Sequence, residues 1–179
     1  MISKKNEVYI RTFKNHRFFL QAPEESVIDH EDIAHALANQ CRWSGHTTGF
    51  YSVAQHSVLM SRLIDPEYAF EALMHDAAEA YCVDLPSPLK SVVPDYKKIQ
   101  KGIEAHICAV YGLPFPMSPA VKEADRRILI NEWQQLFTRT SIGMWTDIGT
   151  LKPYDLEIVP WAPRKAEEEF LKAYEGFTQ

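Results

Sequence analysis

Two histidines and two aspartates, spread over three segments of helical pattern, are the side chains best suited to hold a metal ion. They are His56, His75, Asp76 and Asp125. Imidazoles and carboxylates together make a mixed nitrogen and oxygen ligand set, which suits one divalent transition metal such as manganese, cobalt, zinc, nickel or iron. Such a metal lowers the pKa of a bound water and polarises a phosphoryl oxygen. These residue types therefore indicate hydrolytic chemistry.

The adjacent His75 and Asp76 lie inside an alanine-rich pattern in which apolar residues recur at helical spacing. The pair is therefore beside the core, where an unsatisfied imidazole or carboxylate costs several kcal/mol. Each group must be hydrogen-bonded, charge-paired or metal-bound. For an isolated pair, a satisfied core histidine with a neighbouring carboxylate is the better interpretation, and the presence of His56 and Asp125 favours a metal site instead.

The elements that must position these residues are mainly helices. Hydrophobic periodicity and capping residues predict about six of them, over residues 26–40, 52–64, 67–83, 95–111, 118–137 and 164–174. Two short runs rich in aromatic and β-branched residues, 8–13 and 17–21, predict an N-terminal hairpin. A Pro-rich turn is predicted after residue 83, and a Gly-, Pro- and Trp-rich loop over 143–163.

Length and composition indicate one globular domain, 1–179. The chain has 179 residues, 46% of them hydrophobic, and a formal net charge of −5. This charge argues against a nucleic-acid partner, because that affinity depends on clustered lysine and arginine. The three cysteines are far apart, which is typical of a reducing cytoplasm rather than a disulfide framework. Neither a signal peptide nor a membrane-spanning run is recognisable, so we expect a cytoplasmic protein without a membrane partner.

The order His, then His-Asp, then Asp resembles the HD-domain superfamily of metal-dependent phosphohydrolases. Three longer strings extend the likeness: YSVAQHS at 51–57, LMHDAAEAYCVDLPSPLK at 73–90 and EADRRI at 123–128. They resemble bacterial 5′-deoxynucleotidases and related phage HD hydrolases, among them deoxynucleoside triphosphate triphosphohydrolases. The resemblance covers residues 32–135. With the hairpin at 8–21 and the C-terminal loop and helix at 143–177, it implies an all-α fold, a single HD-domain helical bundle with a small N-terminal β-hairpin.

The resemblance also implies roles for individual residues. The two histidines and two aspartates match the family's metal ligands. Glu79 matches an acid that handles the attacking water or the leaving-group proton, and Asp84 matches a second acid near the sugar or phosphate. Arg42 and Trp43 match a pair that contacts the phosphate and the nucleoside, with Arg42 offsetting the charge that develops in the reaction. Lys90 is a candidate phosphate or sugar contact.

Structural alternatives exist for these residues. Glu79 can pair with a lysine on a solvated face, and Asp84 can stabilise the turn that follows it. Trp43 is as well suited to the core as to a nucleobase platform. For Lys90 a structural role is favoured.

The activity that the resemblance implies is release of phosphate from a deoxynucleoside monophosphate. One alternative is a deoxynucleoside triphosphate hydrolase, which requires extra basic residues, and the sequence offers Arg17, Lys90, Arg126 and Arg127. Another is a sensor that binds metal and nucleotide without catalysis, and a third is a closed structural metal site. The expected partner is a small nucleotide. Aromatic residues of the hairpin and the loop near Trp145 predict a homo-oligomer.

Overall fold

The computed structural model describes residues 8–138 and 150–178. In these ranges the chain is mainly helical, with a two-stranded antiparallel hairpin near its N-terminal end. Strand β1 spans Tyr9–Arg11 and strand β2 spans Arg17–Phe19, and Ile10 lies opposite Phe18. The prediction of a mainly helical chain with a small hairpin is confirmed, although both strands are shorter than predicted.

Eight α-helices lie within the described ranges. They are α1 His30–Asn39, α2 Val53–Leu63, α3 Ala69–Met74, α4 Glu79–Cys82, α5 Ser87–Val92, α6 Pro94–Tyr111, α7 Pro119–Gln135 and α8 Pro163–Thr178. Short 3-10 turns occur at Pro23–Glu25, Arg42–Gly45 and Pro66–Tyr68. The predicted number of about six helices is wrong. The predicted Pro-rich turn contains α5, and the predicted helix 67–83 is divided.

Polar side chains cap the N-terminal ends of α1, α2 and α7. Asp29 caps α1 by accepting a hydrogen bond from the amide of Glu31, so this helix starts four residues later than the predicted 26. Ser52 caps α2 and Ser118 caps α7 in the same way, each through its hydroxyl oxygen. These contacts satisfy amide groups that have no partner inside the helix.

The predicted helix over 67–83 tightens at the His-Asp pair. Helix α3 ends at Met74 and α4 begins at Glu79. Between them, the amides of Ala77 and Glu79 donate to the carbonyl oxygens of Met74 and Asp76, three residues back. Hydrogen bonds between residues i and i+3 make a tighter turn than those of an α-helix, and such stretches often mark functional positions. Here the His75 Nε2 and Asp76 Oδ2 atoms lie 3.1 Å apart, although the residues are adjacent in sequence.

Helix α2 packs against α1, α3, α7 and α8. Residues 53–61 of this helix are all buried, so it has no solvent-facing side over that length. Two apolar clusters enclose it, one including Ile33, Leu37, Leu73 and Phe170, the other including Met60, Ile128 and Leu136. A polar side chain on α2 therefore points into a packed interior.

After α7, the chain is described again from residue 150, and it reaches α8 without a further helix or strand. Trp145 and the first part of the predicted loop 143–163 lie outside the described residues. Within the part of the chain that the structure describes, no helix has both the length and the apolar character needed to cross a membrane.

Candidate metal centre

The four predicted metal ligands lie together. His56 comes from α2, the His75 and Asp76 pair from the tight turn between α3 and α4, and Asp125 from α7. His56 Nε2 lies 3.3 Å from both His75 Nε2 and Asp125 Oδ1. Asp76 Oδ2 lies 3.1 Å from His75 Nε2 and 3.8 Å from His56 Nε2. Nitrogen and oxygen atoms from three separate elements thus come close together, and those of His56, His75 and Asp125 all lie within 4.8 Å of one another.

Both imidazole rings direct Nε2 towards this group of atoms because their other nitrogens have acceptors. His56 Nδ1 donates to Glu132 Oε1 at 2.6 Å, and His75 Nδ1 donates to the Ala72 carbonyl oxygen at 2.8 Å. Carboxylate and carbonyl oxygens only accept, so in a neutral ring the proton is on Nδ1. The two Nε2 electron pairs then face each other at 3.3 Å, an arrangement that a cation stabilises. The residues therefore fit a divalent metal.

The charges around the rings also favour positive charge within this group of atoms. Burial disfavours the imidazolium form, but the Asp76 carboxylate outweighs it and raises the pKa of His75 to about 9. Burial would raise the pKa of Asp76, but His75 and the other cations nearby hold it far below its usual range. The carboxylates thus favour positive charge at the ring nitrogens, whether a proton or a metal ion carries it.

Glu132, on α7, is a residue of the centre that the sequence analysis missed. Its side chain has no exposed surface. Oε1 accepts from His56, while Oε2 accepts from Arg42 Nε and Nη2 at 3.2 Å each and from Trp43 Nε1 at 3.0 Å. Burial alone would raise the pKa of Glu132, but Arg42 and His56 outweigh this effect and lower it. The spacing of seven residues from Asp125 puts both on one helix face, and this was the available signal.

Arg42 and Trp43 lie on a left-handed turn beside the centre. Trp43 has φ 56°, Ser44 has φ 51° and Gly45 has φ 77°. For residues other than glycine this conformation costs roughly 1–2 kcal/mol each. Arg42 Nη1 lies 3.4 Å from Asp76 Oδ2, so the predicted phosphate-binding arginine contacts a predicted metal ligand. The turn thus places Arg42 at the edge of the centre.

Glu79, Asp84 and Lys90 form a neighbouring group. Lys90 Nζ lies 2.8 Å from Glu79 Oε1 and 4.0 Å from Asp84 Oδ1. Glu79 Oε2 is buried and has no hydrogen-bond partner among the described residues. Burial, with the Asp76 and Asp84 carboxylates, raises the pKa of Glu79 well above its usual value. Burial and the neighbouring carboxylates therefore favour the protonated form of Glu79.

Gln40 holds this group in place from α1's C-terminal end. Its Nε2 donates to the Glu79 carbonyl oxygen at 3.0 Å, and its Oε1 accepts from the Asp84 amide at 3.1 Å. The backbones of Glu79 and Asp84 are therefore both hydrogen-bonded to the Gln40 side chain.

Other candidate cations have structural roles. Arg17 lies on β2 with its guanidinium carbon 5.0 Å from the centre of the Tyr9 ring. Arg127 stacks 3.9 Å above the Tyr154 ring and donates to the Lys152 carbonyl oxygen. Their contacts are thus explained without a phosphate.

A second cluster of metal-capable side chains joins the hairpin to α1. His16 Nδ1 lies 2.8 Å from Asp32 Oδ2, and the Lys14 amide donates to Asp32 Oδ1 at 2.6 Å. The Lys14 ammonium pairs with Asp29 at 2.9 Å. Since a lysine already neutralises this cluster, its contacts are those of a structural joint.

The described part of the chain is therefore a mainly helical protein with buried histidine and carboxylate side chains at one centre. Over 172 residues, 96% of each chain, the full sequence is 41% identical to the uncharacterized protein YfdR of Escherichia coli (strain K12). The chain belongs to the family of YfdR. It is also 36% identical over 129 residues to an uncharacterized protein of Rhodobacter capsulatus, covering 64% of this chain and 66% of that one. No protein-family model matches the sequence.

Proposed function

We propose that the protein is an HD-domain phosphohydrolase that uses one divalent metal to release phosphate from nucleotides, with deoxynucleoside 5′-monophosphates as the expected substrates. The observation that carries this proposal is the pair of Nε2 atoms, 3.3 Å apart, from His56 and His75. Each ring has its other nitrogen committed as a donor, and two aspartates complete the set. The sequence likeness to deoxynucleotidases supports the reaction class.

His56, His75, Asp76 and Asp125 would hold the metal. When bound, it supplies polarisation of a phosphoryl oxygen and a water that ionises near neutral pH. Arg42 would offset negative charge on the phosphoryl oxygens, a contribution of electrostatic positioning. Glu79 has a raised pKa, and its Oε2 has no hydrogen-bond partner within the described ranges, so it is suited to give a proton to the departing 5′ oxygen.

The balance of charge favours a monophosphate over a triphosphate. Among the described side chains, Arg42 and Lys90 contact carboxyl groups of the site, and each is already paired with a glutamate. These carboxyl groups are Asp76, Glu79, Asp84, Asp125 and Glu132. A triphosphate carries more negative charge than a monophosphate and needs further cations to offset it. Arg17 and Arg127 are engaged elsewhere, and Arg126 is exposed on α7. The deoxynucleoside triphosphate hydrolase is therefore the second candidate.

The decisive experiment measures products from ribo- and deoxynucleoside mono-, di- and triphosphates, each with manganese, cobalt, zinc or magnesium. Chromatography separates phosphate, pyrophosphate and triphosphate. We expect turnover of deoxynucleoside monophosphates. The substitution Asp76→Ala should abolish metal binding and turnover together, while Asp155→Ala, at an exposed aspartate, should keep both.

Other outcomes would redirect the proposal. Turnover confined to triphosphates would establish the second candidate. Tight metal binding without turnover of any nucleotide would favour a sensor. An Asp76→Ala variant with full metal content and full turnover would refute the proposed centre.

A further inference from the structure

The carboxylate of Glu132 contacts two functional parts of the centre at once. One oxygen accepts from the ring of His56 at 2.6 Å. The other accepts from Arg42 and Trp43 at 3.0–3.2 Å. The partners are 76 and 89–90 residues away in sequence, so no local element brings them together. With no exposed surface on Glu132, water does not compete for either oxygen.

Each contact has a separate physical effect. A carboxylate bonded to the distal nitrogen of a metal-binding histidine fixes the orientation and tautomer of the ring. On the other side, Trp43 and Ser44 adopt left-handed backbone angles that need compensating contacts. Hydrogen bonds from the Arg42 guanidinium and the Trp43 indole to an ionised carboxylate are of the stronger, charge-assisted kind. Glu132 is thus a fully buried contact that both the ring and the turn share.

We infer that Glu132 is a positioning residue that couples the metal ligand His56 to the Arg42–Trp43 turn, so that one carboxylate organises both the metal site and the phosphate-binding side. The inference rests on the proposed metal centre. Glutamine cannot replace Glu132, because it offers one acceptor oxygen and one donor nitrogen. The amide nitrogen of glutamine would face either the donor of His56 or the donors of Arg42 and Trp43.

The test compares Glu132→Gln with Asn131→Asp, a matched control at the preceding position of α7. Asn131 is 2% exposed, and its side chain both donates to and accepts from the backbone of Tyr154. The control therefore disturbs a buried two-sided contact of the same helix without touching His56 or Arg42. Two quantities are measured: the dissociation constant for Mn²⁺, and the rate at which trypsin cleaves the native, metal-free protein after Arg42, located by mass spectrometry.

We expect Glu132→Gln to weaken Mn²⁺ binding by about 10- to 100-fold. Cleavage after Arg42, which is 9% exposed in the native protein, should become at least several-fold faster because the turn opens more often. Asn131→Asp should change neither quantity. Unchanged Mn²⁺ affinity or unchanged cleavage in Glu132→Gln would overturn the coupling, and so would equal effects in the control.

Two further outcomes are covered by the same design. If circular dichroism shows that Glu132→Gln is unfolded, Glu132→Asp replaces it. This side chain is one methylene shorter and cannot reach both sides, so wild-type values for both quantities would overturn the inference. Wild-type protein that binds no Mn²⁺, Co²⁺ or Zn²⁺ would refute the proposed function, and the cleavage rate would still show whether Glu132 holds the turn.

Discussion

Val83 has a backbone conformation that a β-branched residue rarely adopts. Its φ is 71° and its ψ is 146°, a region populated almost only by glycine. Hydrogen bonds hold it there: its amide donates to the Glu79 carbonyl oxygen at 2.9 Å, and its own carbonyl oxygen accepts from the Tyr96 hydroxyl at 2.5 Å. The next amide, of Asp84, is fixed by Gln40. The strain is therefore imposed by contacts that set the position of Asp84.

Comparing alanine with glycine at this position isolates the strain. Val83→Ala and Val83→Gly remove nearly the same side chain, which is 59% exposed, but only glycine accepts the conformation without cost. Relief of strain raises the free energy of unfolding of the glycine variant by about 1–3 kcal/mol. The greater freedom of glycine in the unfolded chain lowers it by about 0.4–1 kcal/mol. We expect Val83→Gly to be more stable than Val83→Ala by about 1 kcal/mol. For a protein of this size, this corresponds to a Tm about 2–4 °C higher.

The assay is urea denaturation and thermal unfolding of both variants, with Val110→Ala and Val110→Gly as the matched pair. Val110 is 50% exposed and lies in α6, where the ordinary preference for alanine over glycine applies. At position 110 we expect the opposite order of stability, with the glycine variant less stable than the alanine variant by about 1 kcal/mol. If alanine is the more stable residue at both positions, Val83 is unstrained and the reasoning is refuted.

Two other predictions concern titrating groups. Because the pKa of Glu79 is raised in the folded protein, that state binds the proton more tightly, and stability falls as pH rises above about 4.5. Glu79→Gln should therefore match the metal-free wild type near pH 4 and exceed it at pH 8 in urea denaturation, and a constant difference would contradict this. Burial also raises the pKa of the Cys82 thiol to about 11. Iodoacetamide at pH 8 should thus modify the exposed Cys41 well before the half-buried Cys82, as measured by peptide mass spectrometry, and equal rates would contradict the raised pKa of Cys82.

Local pattern was sufficient for most of the fold. Helices such as α2 and α7 carry apolar residues at helical spacing and follow an N-cap serine. Residues close in sequence therefore determine both the buried face and the first residue of each helix. Helix α5 lies where the prolines of this segment, Pro86 and Pro88, predict a turn. In the structure Pro86 is the N-cap and Pro88 lies in the first turn, where the missing amide hydrogen has no helical partner to lose.

The residue types of the candidate centre were also predictable, because imidazoles and carboxylates are common metal ligands and can be recognised in the sequence directly. The role of Glu132, whose carboxylate contacts both His56 and Arg42, was not predictable. An acidic residue on a helix is usually solvent-exposed, and Glu132 becomes a buried anion only through Arg42 and His56, residues distant in sequence. Burial of a charge depends on its partners, and sequence periodicity carries no information about a pairing across 76 or 90 residues.

Backbone strain was unpredictable for a related reason. Outside glycine, the described residues with positive φ are Asn15, Trp43, Ser44 and Val83, and three of them adjoin side chains of the candidate site. Tryptophan, serine and valine give no signal for such angles, since each normally avoids them. Long-range contacts compensate the cost: Glu132 binds the Trp43 indole, and Tyr96 binds the Val83 carbonyl oxygen. The conformations on which Arg42 and Asp84 depend therefore exist only once the bundle has assembled, which is why these two sides of the site require the structure.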